Sequence, residues 1–199
     1  MKKAFIILLL SVLVFAAEDR QQPTNPKCRQ PLNLGTSCAA KKPTIRYHMD
    51  PETLTCLAFK HNGCGGNDNS FATKGECSQT CIPADYLTCS ANSPAVRRPN
   101  GDASCQTNMI LIGGETSLDS ACPKGSTCQM GFVVGLCCND TITAAVSANY
   151  KPDCGPGKKA FKSEQYGFQL IHLGKTCDSN FCPDNSVCRQ GSYFAYCCY

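Results

Sequence analysis

The sequence has no tryptophan, only four methionines and three histidines. Its longest uncharged apolar run, Ala4 to Phe15, is about a dozen residues against the roughly 20 that a membrane helix needs, which argues against a membrane anchor. Neither sign of charge dominates, with 19 basic against 15 acidic residues and a net charge of +4. No basic stripe interleaved with aromatics occurs, so nucleic acid is not an expected partner. The pairs Lys41-Lys42, Arg97-Arg98 and Lys158-Lys159 read as solvated surface, and Pro43 and Pro99 after the first two argue against processing there. His48, His61 and His172 lie in no nucleophile pattern, so the chain is not expected to be an enzyme, and no cofactor is called for.

Cysteine is what the chain has in excess: eighteen, an even number. Lys2 and Lys3 precede the apolar run, which ends in Ala16 and Ala17, the pattern of a secretory leader spanning residues 1–16. Its removal leaves 17 basic residues against 15 acidic ones, a net charge of +2. A secreted, cysteine-dense chain is expected to be a series of small disulfide-stapled modules, with function in the loops the staples hold. The same oxidising setting disfavours a metal site built from these cysteines.

The cysteines fall into three groups of six, at 28–81, 89–138 and 154–198. The last two share an ending. CPKGSTCQMGFVVGLCC from Cys122 to Cys138 and CPDNSVCRQGSYFAYCC from Cys182 to Cys198 align without a gap, so two copies of one small β-rich fold are expected. Six cysteines allow fifteen pairings per copy, although strain in the small ring makes a bond between adjacent cysteines such as Cys137 and Cys138 unfavourable. Between the copies, Asn139 to Asp153 is polar and rich in small residues, as a linker would be. The runs Met109–Ile112, Phe132–Val134 and Tyr166–Phe168 read as strand cores.

In the first group, Ile45–Met49 and Thr55–Lys60 are rich in β-branched and aromatic residues and flank Asp50-Pro51-Glu52-Thr53, which predicts a β-hairpin. Thr73-Lys74-Gly75-Glu76 has the capping-box pattern of a short helix that Pro83 would stop. Cys77 and Cys81, four apart, then share one helix face.

These residues, with Arg46-Tyr47, Phe59 and GCGGNDNSF from Gly63 to Phe71, resemble the Kunitz, or pancreatic trypsin inhibitor, family over the whole of Cys28 to Cys81. The later groups resemble the lustrin-type cysteine-rich repeats found beside Kunitz domains in secreted nematode proteins. The first resemblance implies the bridges Cys28–Cys81, Cys38–Cys64 and Cys56–Cys77, with Asn69 and Phe71 buttressing the fold. It also implies inhibition of an extracellular serine protease through an exposed loop, Gly35, Thr36, Ser37, Cys38, Ala39, Ala40 and Lys41, held in the extended shape of a substrate. Ala39 would enter the primary pocket and the reactive bond would join it to Ala40, which suits a shallow, elastase-like pocket rather than trypsin. The loop departs from the family by one extra residue between Gly35 and Cys38 and two between Cys38 and Arg46, which leave Ala40 and Lys41 as alternative contact positions. Asn62 stands where the family has glycine, adding bulk near the protease. The competing function is a non-inhibitory structural or binding role, as in a matrix or cuticle. A channel-blocking role would need a clustered basic and aromatic surface, of which Lys27, Arg29, Lys41 and Lys42 form a thin version.

Asn139-Asp140-Thr141 is the chain's one N-glycosylation sequon. Protein from a secreting eukaryotic host is expected to lose mass on treatment with an amidase that cleaves N-glycans, and an unchanged mass would leave Asn139 unmodified.

Overall fold

The computed structural model describes residues 20–82, 87–105, 122–131, 134–165 and 167–199. The leader at 1–16, Pro83, Met109–Ile112, Phe132, Val133 and Tyr166 lie outside the described residues.

In the first module a 3-10 turn at Pro26–Arg29 leads to β1 (Thr36–Ser37), β2 (Thr44–Asp50), β3 (Thr55–His61), β4 (Gly63–Cys64) and helix α1 (Lys74–Cys81). Strands β2 and β3 form the expected hairpin, in register from Thr44 opposite His61 to Asp50 opposite Thr55. The turn is stabilised by a hydrogen bond from Thr53 Oγ1 to the Asp50 carboxylate. Helix α1 starts at its capping box: Thr73 Oγ1 accepts from the Glu76 N–H at 3.0 Å. Glu76 in turn accepts from Ala72 N–H at 2.9 Å, one residue before the cap. Cys77 and Cys81 face inward and bond Cys56 and Cys28, and Cys38 bonds Cys64. The buried Asn69 carboxamide accepts from Met49 N–H and donates to Met49, Gln30 and Cys28 carbonyls, which joins the entry of the module to its hairpin.

The second module contributes β5 (Ser104–Cys105), β6 (Ser126–Met130) and β7 (Gly135–Asn139), in the order β5-β7-β6. The third contributes β8 (Lys162–Gln165), β9 (Phe168–Ile171), β10 (Leu173–Gly174), β11 (Val187–Gln190) and β12 (Ala195–Cys198). The repeat in sequence is a repeat in structure, since hairpins β6–β7 and β11–β12 place Cys128 opposite Cys137 and Cys188 opposite Cys197. The bridges Cys89–Cys138, Cys105–Cys128 and Cys122–Cys137 recur as Cys154–Cys198, Cys177–Cys188 and Cys182–Cys197. Counted in order, each module, the first included, joins its first cysteine to its sixth, second to fourth and third to fifth. Adjacent cysteines have different partners throughout.

The modules are not separate beads. Strand β10 lies parallel to β3, with Gly174 opposite Ala58, so that the hairpins of the first and third modules form one five-stranded sheet in the order β11-β12-β10-β3-β2. The pairing needs a residue without a side chain at 174, because a Cβ there would lie 2.3 Å from the ring of Phe181. Residues 140–149, expected as a linker, instead form helix α2 (Asp140–Asn149). Asn139 caps it by accepting from Ile142 N–H at 3.1 Å, and Asp140 favours the positive end of its first turn. Ile142, Val146 and Asn149 then fall on one face. Val146 packs with Leu57 of β3 and with Leu173 and Phe194 of the third module, where Ile142 and Ala91 of the second module also meet. Asn149 accepts from the N–H groups of Tyr193 and Phe194 at 3.0 and 3.2 Å. The sequence suggested a linker because its residues are small and polar, and that composition is also compatible with a helix once one face is covered.

Polar ties complete the docking. Lys175 reaches Asp50 at 2.8 Å and Glu52 at 2.6 Å across the turn of the first hairpin. The buried Asn92 exchanges hydrogen bonds with the main chain of Gln21. His172 sits among Tyr47, Phe161 and Phe181, with ring centroids 6.2, 5.5 and 5.5 Å away. Two apolar residues expected in strand cores are outside them: Phe168 is 69% exposed and Val134 40% exposed. Phe168 lies on the β8–β9 ribbon, whose pairing is with itself and not with the main sheet.

Burial holds the pKa of His172 down at about 4 against an ordinary 6.5, the nearby Lys74 charge acting in the same direction and a hydrogen bond at Phe181 opposing. Burial also depresses His48, against the attraction of Asp50. As pH falls, the unfolded chain therefore takes up these protons first. Stability contributed by neutral His172 is full above pH 6.5 and is lost towards pH 4, by about 3 kcal/mol at 1.36 kcal/mol per pKa unit. Thermal unfolding across this range is expected to show that slope, and His172→Phe to remove most of it. Separately, Gly174→Val is expected to undock the third module, read as lost hydrogen-exchange protection along β3 and β10 with the bridges intact.

Candidate binding loop

The backbone from Thr36 to Ile45 is an exposed run interrupted only by the half-buried Cys38. Its exposure follows from the anchoring of its two ends. At the entrance, Gly35 at φ +69° brings the chain so close to β4 that a Cβ would lie 2.3 Å from the Cys64 carbonyl oxygen. Asn33 Oδ1 holds that bend by accepting from Gly35 N–H at 2.9 Å. Thr36 and Ser37 then pair antiparallel with Cys64 and Gly63, and the Cys38–Cys64 bridge fixes the next residue. At the exit, Pro43 leads into β2, where Arg46 donates to Ser70 Oγ at 2.6 Å and to its carbonyl at 2.8 Å.

Two side chains behind the loop brace it. His61 is 8% exposed and stands edge-on to Phe59. Its Nδ1 accepts from Gly63 N–H at 3.1 Å, which leaves Nε2 to carry the proton and donate to the Gly65 carbonyl at 3.1 Å. Asn62 is half-buried; its Nδ2 donates to the Gly35 carbonyl at 3.2 Å and its N–H to that of Leu34 at 2.8 Å. The expectation that Asn62 adds bulk toward a protease is therefore corrected, because its carboxamide turns inward to satisfy the backbone that β1 leaves unpaired.

At the tip, Cys38 and Lys41 form an antiparallel bridge, so Ala39 and Ala40 occupy a two-residue turn. The resemblance implied an extended substrate shape here, and this too is corrected. The added residues give the chain enough length to fold back on itself. The turn exposes both alanines and projects Lys41 and Lys42 beside them. Of the site residues expected from sequence, the structure gathers Gly35 to Lys41 into this one loop. The braces Asn33, His61 and Asn62 were missed. Asn33-x-Gly35 has the spacing of a side chain that closes a turn on its own backbone and was a usable signal, whereas nothing in the sequence marks His61 as a brace. Asn139 is remote in role, half-buried at the cap of α2.

Residues 27–82 match the Kunitz/Bovine pancreatic trypsin inhibitor domain model. A BPTI/Kunitz inhibitor domain-containing protein of Caenorhabditis elegans is 33% identical over 171 residues, 86% of this chain and 88% of its own. The chain belongs to the Kunitz domain family. The similarity is not confined to the Kunitz domain: Major allergen Ani s 1 of Anisakis simplex is 31% identical over 195 residues, 96% of this chain and 94% of that one. The Kunitz part alone is 38% identical over 63 residues to a male accessory gland serine protease inhibitor of Drosophila funebris, 29% of this chain and 97% of the relative.

The braces of the Kunitz loop can be tested one at a time. His61→Phe keeps an aromatic ring against Phe59 but leaves Gly63 N–H and the Gly65 carbonyl unpaired, so stability should fall by about 1–3 kcal/mol. Amide exchange at Gly63 should accelerate more than at Met49, which Asn69 holds.

Proposed function

We propose that this protein is a secreted serine protease inhibitor that acts through the Kunitz loop Gly35–Lys41 and is directed at a protease with a small or shallow primary pocket. The observation that carries the proposal is a small, exposed Ala39–Ala40 tip on a loop clamped by a disulfide, a β1–β4 pair and the His61 and Asn62 braces. A loop ordered before binding loses little entropy on complex formation. The Drosophila relative, named as a serine protease inhibitor, supports the class of target. A methyl side chain fills a shallow pocket but cannot pair with the acidic base of a trypsin-like one.

A protease cleft takes its substrate as an extended strand, so engagement across Ala39–Ala40 parts the Cys38–Lys41 pair. That costs on the order of 1 kcal/mol for each hydrogen bond given up. Inhibition should therefore be weaker than the rigidity of the clamp alone would allow. The same bridge favours a second reading, a non-inhibitory extracellular structural or binding protein in which the turn is closed for good. The segments 89–138 and 154–198 are read as lustrin-type repeats, a reading supported by their common bridge order and common hairpin.

The deciding assay uses the full chain, with its bridges confirmed by mass, against elastase-like enzymes, chymotrypsin and trypsin. We expect inhibition of the first, its loss by at least about a hundredfold on Ala39→Asp, and a gain against trypsin on Ala39→Arg. No inhibition of any of them by the correctly bridged chain would mean that the insertions have retired the loop, and the second reading would lead.

A further inference from the structure

A cleft of about 950 Å³ opens where the first turn of α1, the end of α2 and the third module meet, and it shares no lining residue with the Kunitz loop. Its apolar surface comes from Phe161, Leu170, Ile171 and the rings of Tyr150 and Tyr199. Three of these are conspicuously uncovered: Tyr150 is 44% exposed, Leu170 40% and Tyr199 55%. Lys74, Lys151, Lys159 and Lys162 stand around this surface, and no Asp or Glu side chain lines it among the described residues. Lys151, Lys159 and Lys162 are exposed at the rim, and Lys74 is half-buried, its pKa lowered by desolvation.

Volume, lining and charge together select the ligand. The cleft is within the size range of small-molecule sites. A simple inorganic anion would satisfy the lysines and leave the aromatic and aliphatic surface wet, while a neutral lipid would do the reverse. We propose that the cleft binds a monomeric long-chain carboxylate, with the acyl chain along Phe161, Leu170 and Ile171 and the carboxylate among the lysines. The flexible lysine stems can lie along an alkyl chain while their ammonium ends close over the head group. This site is independent of the protease-inhibitor reading.

The test is a fluorescence titration of the full, correctly bridged chain with cis-parinaric acid below its aggregation concentration. Saturable one-to-one binding is expected, weakened by about tenfold or more in the Lys159→Glu/Lys162→Glu double variant and for the methyl ester of the same acid. Leu170→Asp, on an exposed strand of the β8–β9 ribbon, should weaken it through the other half of the ligand. Unsaturable binding, or equal binding of the acid and its ester, would overturn the proposal. So would an unchanged affinity in both variants, or flotation with anionic vesicles by a chain that does not bind the monomeric acid.

Discussion

Strand β3 is the element on which the rest of the molecule depends, because both of its faces are used. Cys56 points to one side and is bonded to Cys77, which holds helix α1 in the core of the Kunitz domain. Leu57 points to the other and packs with Val146, Leu173 and Phe194. The strand edge left open by the first hairpin accepts β10, so backbone hydrogen bonding, apolar contact and the Lys175 ion pairs act at one place. A Kunitz hairpin on its own would show the in-and-out alternation of a strand with one wet face. Here β3 is buried at nearly every residue, as a central strand should be.

The disulfides and the shared core divide the work of stability. In every module the bridge from first to sixth cysteine closes the longest loop, of 53, 49 and 44 residues' separation, and so restricts the unfolded chain most. Such bridges hold each small unit together but say nothing of how units sit on one another. That is settled by the β3–β10 pairing together with α2, whose capping Asn139 and buried Asn149 satisfy polar groups at its two ends while Val146 fills the space between modules. The loop Gly35–Lys41 is tied at its base by the Cys38–Cys64 bridge, the β1–β4 pair and the hydrogen bonds around His61 and Asn62, which explains how a run so exposed keeps one shape.

The hairpin, the capping box of α1 and the internal repeat were legible because each is a local pattern, and the three Kunitz bridges of the structure are those that the family resemblance implied. Helix α2 was not, since its helical face becomes visible only when Leu57 and Phe194 are there to cover it. Phe168 reads as core because an aromatic in a strand usually is, but the β8–β9 ribbon pairs only with itself and leaves that ring exposed. The shape of the loop tip depended on where the inserted residues placed Lys41 relative to Cys38, a spatial relation that residue counting does not contain.

Residue order alone marks the three groups of six cysteines and the internal repeat, because these depend on residue identity at short or repeated spacing, and the Kunitz resemblance assigns the small Ala39–Ala40 pair to the exposed loop. Folding in three dimensions makes the modules share a sheet and a core, closes the loop tip into a turn, and gathers four lysines from three segments around one apolar cleft. One cause underlies all three. Backbone edges, apolar faces and charges take on their role from what stands opposite them, and residues as far apart in sequence as Ala58 and Gly174 become neighbours only when the chain has folded.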